Sequence, residues 1–179
     1  NCSYNPDLFD ATQSHTYGVS FWLPITGSSL YMQNEYAARS DIMPLMLMDF
    51  FSHQNPDFSF HKEQRELMAG NYYPLDFGSF DKNKMLAMQY STDDGLSGTA
   101  LIYKRADVND SDYTVNFNGL VPSQTYNVYD VDTPETVYTM TGEELTNQGL
   151  TIGLPDGVKA IILMYNAQYS PNTPSTVGS

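Results

Sequence analysis

Lys84-Met85-Leu86-Ala87-Met88-Gln89-Tyr90, then Asp93-Asp94-Gly95, then Gly98-Thr99-Ala100-Leu101-Ile102-Tyr103-Lys104-Arg105 is the stretch on which the fold turns. Two runs rich in aliphatic and aromatic residues flank an Asp-Gly turn, a strong local signal for a β-hairpin. The pattern continues towards the C-terminus. Tyr113 to Phe117 alternates polar and apolar and stops at Asn118-Gly119. Gln124 to Asp130, Val137 to Met140, Leu150 to Leu154 and Lys159 to Tyr165 are further short runs, bounded by Gly, Pro, Asn or Asp. Short strands with turn signals every ~8–12 residues predict an antiparallel β-sandwich. Ser170 to Ser179, rich in Pro, Ser and Thr, reads as a loose tail.

Upstream the character differs. Thr16-Tyr17-Gly18-Val19-Ser20-Phe21-Trp22-Leu23-Pro24 is a nearly continuous apolar run, which predicts a strand buried on both faces, as in a parallel sheet. No further βαβ repeat is evident around it. Tyr36 to Phe51 is rich in Met, Leu and Phe, with a helix expected over Leu45 to Phe51. Phe58 to Ala69 is the clearest helix, with Asp57 as N-cap and Gly70 as the residue that ends it. The chain therefore divides into a strand-and-helices part to about Asn71 and a β-rich part beyond it.

Composition bounds the function. The chain has 179 residues, with 8 basic against 21 acidic side chains and a net charge of −13. Too few Lys and Arg are present to neutralise a phosphate backbone or an anionic membrane, so neither nucleic acid nor membrane is expected as a partner. Aromatics reach 13% while charged residues make up only 16%. That balance excludes a disordered chain and suits a β-rich fold meeting neutral polar ligands such as sugars. The single cysteine, Cys2, allows neither an internal disulfide nor a multi-thiolate zinc site. Asn1 to Asp10 lacks the basic and apolar regions of a signal peptide, and no stretch approaches the ~20 apolar residues of a membrane helix. A soluble, cytoplasmic protein is the expectation, with an upstream signal left open.

The residues that could carry chemistry are few. His15, His53 and His61 show no metal-ligand spacing, and no metal or cofactor is expected. Asp107 to Asp112 alternates oxygen ligands but lacks the Gly and the closing Glu of a calcium loop, and an acidic solvated turn is the simpler reading. Asp130, Asp132 and Glu135 form a second such cluster. Glycoside-cleaving carboxylates must face one another from separate elements, ~5–9.5 Å apart, so Asp93-Asp94 reads as a hairpin turn and Glu143-Glu144 as a helical turn. No nucleophile motif or phosphate loop occurs, and no residue is assigned a catalytic role. What stands out is Trp22, Tyr36, Arg39 and Ser40, beside or just beyond the expected buried strand. In a β/α barrel the C-terminal ends of strands hold the site. There Trp22 would stack on a sugar face and Arg39 would fork onto hydroxyls or a carboxylate. The ordinary alternative is that Trp22 is core and Arg39 pairs with a structural acid.

These residues, in order, resemble a known family. Ser14-His15-Thr16-Tyr17-Gly18-Val19-Ser20-Phe21-Trp22-Leu23-Pro24 followed by Tyr36-Ala37-Ala38-Arg39-Ser40 is similar to the last barrel strand of the alpha-galactosidases of glycoside hydrolase family 36, in clan D. Asn71-Tyr72-Tyr73-Pro74-Leu75 resembles the segment joining their barrel to the C-terminal domain. Met85 to Tyr90, Gly95, Gly98 and Tyr103-Lys104-Arg105 follow the order of its first hairpin. Asn118-Gly119-Leu120 with Tyr126, and Thr141-Gly142-Glu143-Glu144-Leu145 with Gly149-Leu150, continue the series to Tyr165. Met85 and Met88 stand where the family usually has a Trp in this strand, and Lys104-Arg105 where it has an Arg pair.

The resemblance implies a mainly β fold, with a C-terminal antiparallel β-sandwich preceded by a strand-and-helices remnant of a (β/α)8 barrel. It implies three stretches: 1–71 as the end of the catalytic barrel, 72–168 as the sandwich and 169–179 as a flexible tail. The activity implied for the whole protein is retaining hydrolysis of α-galactosides, in bacterial carbohydrate metabolism, by two carboxylates that match no residue here. The chain alone would be inactive, with the remainder of the barrel and a galactoside as partners. Apolar residues left bare, such as Val19, Phe21, Leu23, Leu45 and Leu47, would drive self-association into homo-oligomers, or disorder. The competing reading is a free-standing, non-catalytic sugar-binding or adhesive β-sandwich.

Overall fold

The computed structural model describes residues 6–23, 27–29, 35–40, 42, 45–47, 65–76, 81–157 and 159–168. The elements run α1 (Pro6–Val19), β1 (Gly27–Ser29), α2 (Glu35–Ser40), β2 (Leu45–Leu47), α3 (65–68), β3 (Asn71–Pro74), β4 (Leu86–Ser91) and β5 (Ser97–Lys104). They continue with β6 (Asp112–Val115), β7 (Thr125–Asp130), β8 (Val137–Thr141), α4 (Gly142–Asn147), β9 (Leu150–Gly153) and β10 (Lys159–Ala167).

The hairpin predicted from Lys84 to Arg105 forms. β4 and β5 pair antiparallel, with Leu86 opposite Tyr103 and Ser91 opposite Gly98. Gly95 takes φ 71° in the turn, and a Cβ there would meet the Gly119 carbonyl oxygen at 2.3 Å, so this turn packs directly on the next one. The hairpin is the centre of a six-stranded antiparallel sheet ordered β3-β4-β5-β10-β7-β8. β6 and β9 form a separate antiparallel pair. Asn71-Tyr72-Tyr73-Pro74 is therefore an edge strand of the sheet rather than a mere connection.

Alternation along the central strands builds two cores. Ala87, Ala100, Ile102, Ile161 and Leu163 face Val115, Phe117, Leu150 and Ile152 of the smaller layer, closing the sandwich. Leu86, Met88, Tyr90, Leu101, Tyr103 and Ile162 point the other way, against Tyr17, Tyr36, Ile42 and Met68. Because both faces are covered, β4 is buried at every position and β5 at all but Ser97. That is why these strands read as apolar runs and not as an alternating pattern. Thr141 and Glu144 close a capping box at the start of α4, as the Thr-x-x-Glu spacing requires.

Three upstream expectations are corrected. The strand expected over Thr16 to Pro24 is not one: residues 16–19 finish α1, and Phe21, Trp22 and Leu23 lie past its end, exposed. Residues 10, 13 and 17 fall on one helical face, and burying Asp10, Gln13 and Tyr17 there won over the apolar run. The helix expected from Leu45 begins as a strand, Leu45–Leu47, while 48–51 lie outside the described residues. β1 and β2 pair in parallel, Gly27 opposite Leu45, so with α2 between them a βαβ unit does exist. Of the helix expected over Phe58 to Ala69, residues 65–68 are helical, Ala69 is in a turn, and 58–64 lie outside the described residues. The tail, 170–179, also lies outside them. Among the described residues no helix is long and apolar enough to cross a membrane.

Candidate functional site

The second face of the sheet is where Tyr36, Arg39 and Ser40 come together. They follow the i, i+3, i+4 spacing of a helix, so α2 aims all three to one side. The Tyr36 hydroxyl donates to Asp10 Oδ1 at 2.8 Å. Gln13 Nε2 donates to Ser40 Oγ at 2.7 Å, and Ser40 Oγ donates to the Tyr36 carbonyl at 2.7 Å. Burial and the Asp10 carboxylate push the Tyr36 hydroxyl well above the usual tyrosine range, so it remains a donor at physiological pH. α1 thus seats on α2 through polar side chains that are themselves buried.

Arg105, at the end of β5, closes this cluster from the sheet side and is 1% exposed. Its Nη2 donates to Ser14 Oγ at 2.7 Å and to the Asp10 carbonyl at 3.5 Å, while Nη1 donates to the Asp81 carbonyl at 3.2 Å. A planar guanidinium can serve these separate acceptors where an ammonium could not.

Arg39 crosses the same boundary in the opposite direction. Its Nη1 donates to Asp132 Oδ2 at 2.9 Å and to the Ala160 carbonyl at 2.8 Å, and Nη2 donates to Asp132 Oδ1. Lys159 Nζ stands 3.0 Å from Asp132 Oδ2, and the Tyr103 hydroxyl donates to the Arg39 carbonyl at 2.9 Å. The hydrogen bonds from Arg39, reinforced by Lys159, hold the Asp132 carboxyl down at about 2. The guanidinium is committed to a structural acid, the ordinary alternative for this residue.

Trp22 sits elsewhere. Val19, the last residue of α1, lies about 13 Å along the helix from Asp10, and Trp22 follows it. It is 86% exposed, so the alternative that made it core is corrected. The ring of Phe21, its neighbour in the chain, stands edge-on to Tyr17 and Tyr72, with centroids 5.5 and 5.8 Å away. The Tyr72 hydroxyl donates to the Tyr17 carbonyl, and its ring lies 5.3 Å from that of Tyr90, whose hydroxyl is pushed up to about 12 by burial. An exposed indole offers a face suited to stacking against a planar or sugar ring.

Sequence reasoning missed Asp10, Gln13, Ser14 and Arg105. The 10, 13, 14, 17 spacing after Pro6, a good first residue of a helix, was the available signal. Arg105 gives none beyond being a cation at the end of an apolar run. Asp132 was visible only as one of several acids in a turn.

The GH36 alpha-galactosidase AgaB from Geobacillus stearothermophilus superposes with a TM-score of 0.68 at 17% identity, covering 89% of this chain and 24% of that one. The alpha-galactosidase from Lactobacillus brevis gives 0.62 at 20% identity, covering 81% and 22%. A double variant of AgaA from G. stearothermophilus in complex with stachyose gives 0.67 at 16% identity, covering 89% and 24%. No protein-family model matches the chain, and no curated protein matches it by sequence. The chain spans about a quarter of the length of the structures it matches. It has the mainly β fold found in the C-terminal part of GH36 alpha-galactosidases.

Proposed function

We propose that the chain is the C-terminal part of an alpha-galactosidase-like retaining glycoside hydrolase, with residues 1–71 ending a catalytic barrel, 72–168 forming the sandwich that braces it, and 169–179 a tail. The observation that carries this reading is the β1–β2 pair. A parallel pair of three-residue strands joined through α2 has too little pairing to stand alone, and parallel sheets live with both faces covered and more strands alongside. A barrel supplies those strands. A free-standing sugar-binding sandwich has no use for them, nor for a helical layer seated on its sheet.

In this reading the two carboxylates of the reaction belong to a part of the protein beyond these residues. One attacks the anomeric carbon; the other protonates the leaving oxygen and then activates water. Asp10 and Asp132 are each hydrogen-bonded within the chain and are structural. Trp22 is the side chain that would stack on the sugar, while Tyr36, Arg39 and Ser40, held by Asp10, Asp132 and Gln13, lie apart from it and brace the helical layer on the sheet. The galactoside class rests on the enzymes with which the fold is shared, one of them bound to stachyose. A bacterial origin and a cytoplasmic address belong to the same proposal.

The test is hydrolysis of an aryl α-galactoside by the 179-residue chain beside a protein extended through a whole barrel. Turnover by the extended protein alone is expected; turnover by the short chain, or by neither, would sink the proposal.

A further inference from the structure

The two edges of the six-stranded sheet are built differently. β3 has four residues and ends in Pro74, which cannot donate to an added strand, so that edge is blunted. β8, the opposite edge, is Val137-Tyr138-Thr139-Met140-Thr141, with no Pro and no charge. Val137 and Tyr138 stay 49% and 38% exposed. Tyr138 and Met140 stand opposite Val128 and Tyr126, both core residues, so their side chains carry the sandwich interior out to the edge. Among the described residues no strand pairs with the outer side of β8.

The surroundings state what kind of strand would fit. The 53 residues between Arg105 and Lys159 hold six Asp, three Glu and no Lys, Arg or His. A second copy of the chain is a poor occupant: antiparallel pairing about Thr139 would bring the flanking acids Glu135 and Glu143 of the two copies together. Glu135 and Glu143 flank β8 and are exposed, so a strand with a cation at each end meets an opposite charge at both, whereas Asp132 is already paired with Arg39 and Lys159.

We propose that the outer edge of β8 takes up an extended segment of another protein as a seventh strand. The segment carries Lys or Arg at its ends and apolar side chains at the alternate positions facing Tyr138 and Met140. Backbone pairing supplies affinity and the alternate side chains supply selectivity. The proposal does not depend on the glycosidase reading.

The probes are three labelled peptides titrated against the full 179-residue chain by fluorescence anisotropy. The first is Lys-Thr-Val-Thr-Val-Thr-Lys, the second has Glu at both ends, and the third keeps both Lys but is N-methylated at the alternate amides that would pair. The Lys-ended peptide is expected to bind at least about tenfold more tightly than the Glu-ended one and to weaken with added salt. N-methylation is expected to abolish binding. Thr139→Pro should do the same, and if that variant does not fold the methylated peptide alone decides. Equal binding of the methylated peptide would reduce the effect to charge and overturn the proposal. So would equal binding of the Glu-ended peptide, no binding of any, or a dimer that Val137→Lys converts to monomer.

Discussion

The side-chain amide of Gln89 clasps the backbone of Asn118 on both sides, donating Nε2–H to its carbonyl at 2.8 Å and accepting its N–H on Oε1 at 2.9 Å. The same Nε2 donates to the Tyr165 hydroxyl at 2.8 Å. Gln89 is fully buried on β4, so a turn 29 residues away is fastened to the centre of the sheet by one polar side chain. Gly119, next in that turn, takes φ 69°, and a Cβ there would meet the Tyr73 hydroxyl oxygen at 2.3 Å.

Gln89→Leu keeps the volume but leaves the Asn118 groups and the Tyr165 hydroxyl with one partner fewer. A loss of about 2–3 kcal/mol is expected, read as a lowered midpoint in urea with an unchanged slope. A change below about 0.5 kcal/mol would show that the clasp is incidental.

Asp132 makes stability depend on acid. Its folded value, about 2, lies below its unfolded value, so its contribution is full above pH 4 and disappears as pH falls through 2. Its side chain is 29% exposed, so after allowing for solvent screening the pairing with Arg39 and Lys159 is worth about 1 kcal/mol. Asp132→Asn should cost that much at pH 7 and progressively less as pH falls towards and through 2, measured as the difference in unfolding free energy between the two proteins. A constant difference across that range would count against the linkage.

Arg105 is the residue on which the seating of α1 depends. Arg105→Met removes the donors to Ser14, Asp10 and Asp81 and should cost about 3 kcal/mol. Amide hydrogen exchange should accelerate most in α1, with β6, β7 and β9 changing least. Arg105→Lys keeps the charge without the fork and should fall between the two. Uniform acceleration throughout the chain would show instead that Arg105 supports the fold as a whole.

How much was legible in the sequence follows from how many layers touch each segment. Tyr113 to Phe117, Gln124 to Asp130 and Val137 to Met140 lie between turn-forming residues such as Asn118-Gly119, so they were read to within two residues at each end. Two-sided burial was inferred for Thr16 to Pro24 but belongs to β4, β5 and β10, because an apolar run does not say which neighbours will cover it. Of the site, Arg39 and Ser40 were visible as polar residues near an aromatic run. Asp132 lies 93 residues beyond Arg39, and no local pattern announces that pairing.

One sheet serves two layers, and that separates a sandwich that belongs to a larger enzyme from one that stands alone. The most direct measurement is the thermal stability and association state of residues 72–168 beside the 179-residue chain. Cutting away α1, α2 and α3 bares Leu86, Met88, Tyr90, Leu101, Tyr103 and Ile162 in one contiguous apolar face. The shortened chain should bind a hydrophobic dye, self-associate and lose its cooperative transition or melt far lower. A monodisperse, dye-silent monomer melting with the parent would contradict the account and return the free-standing sandwich as the better reading.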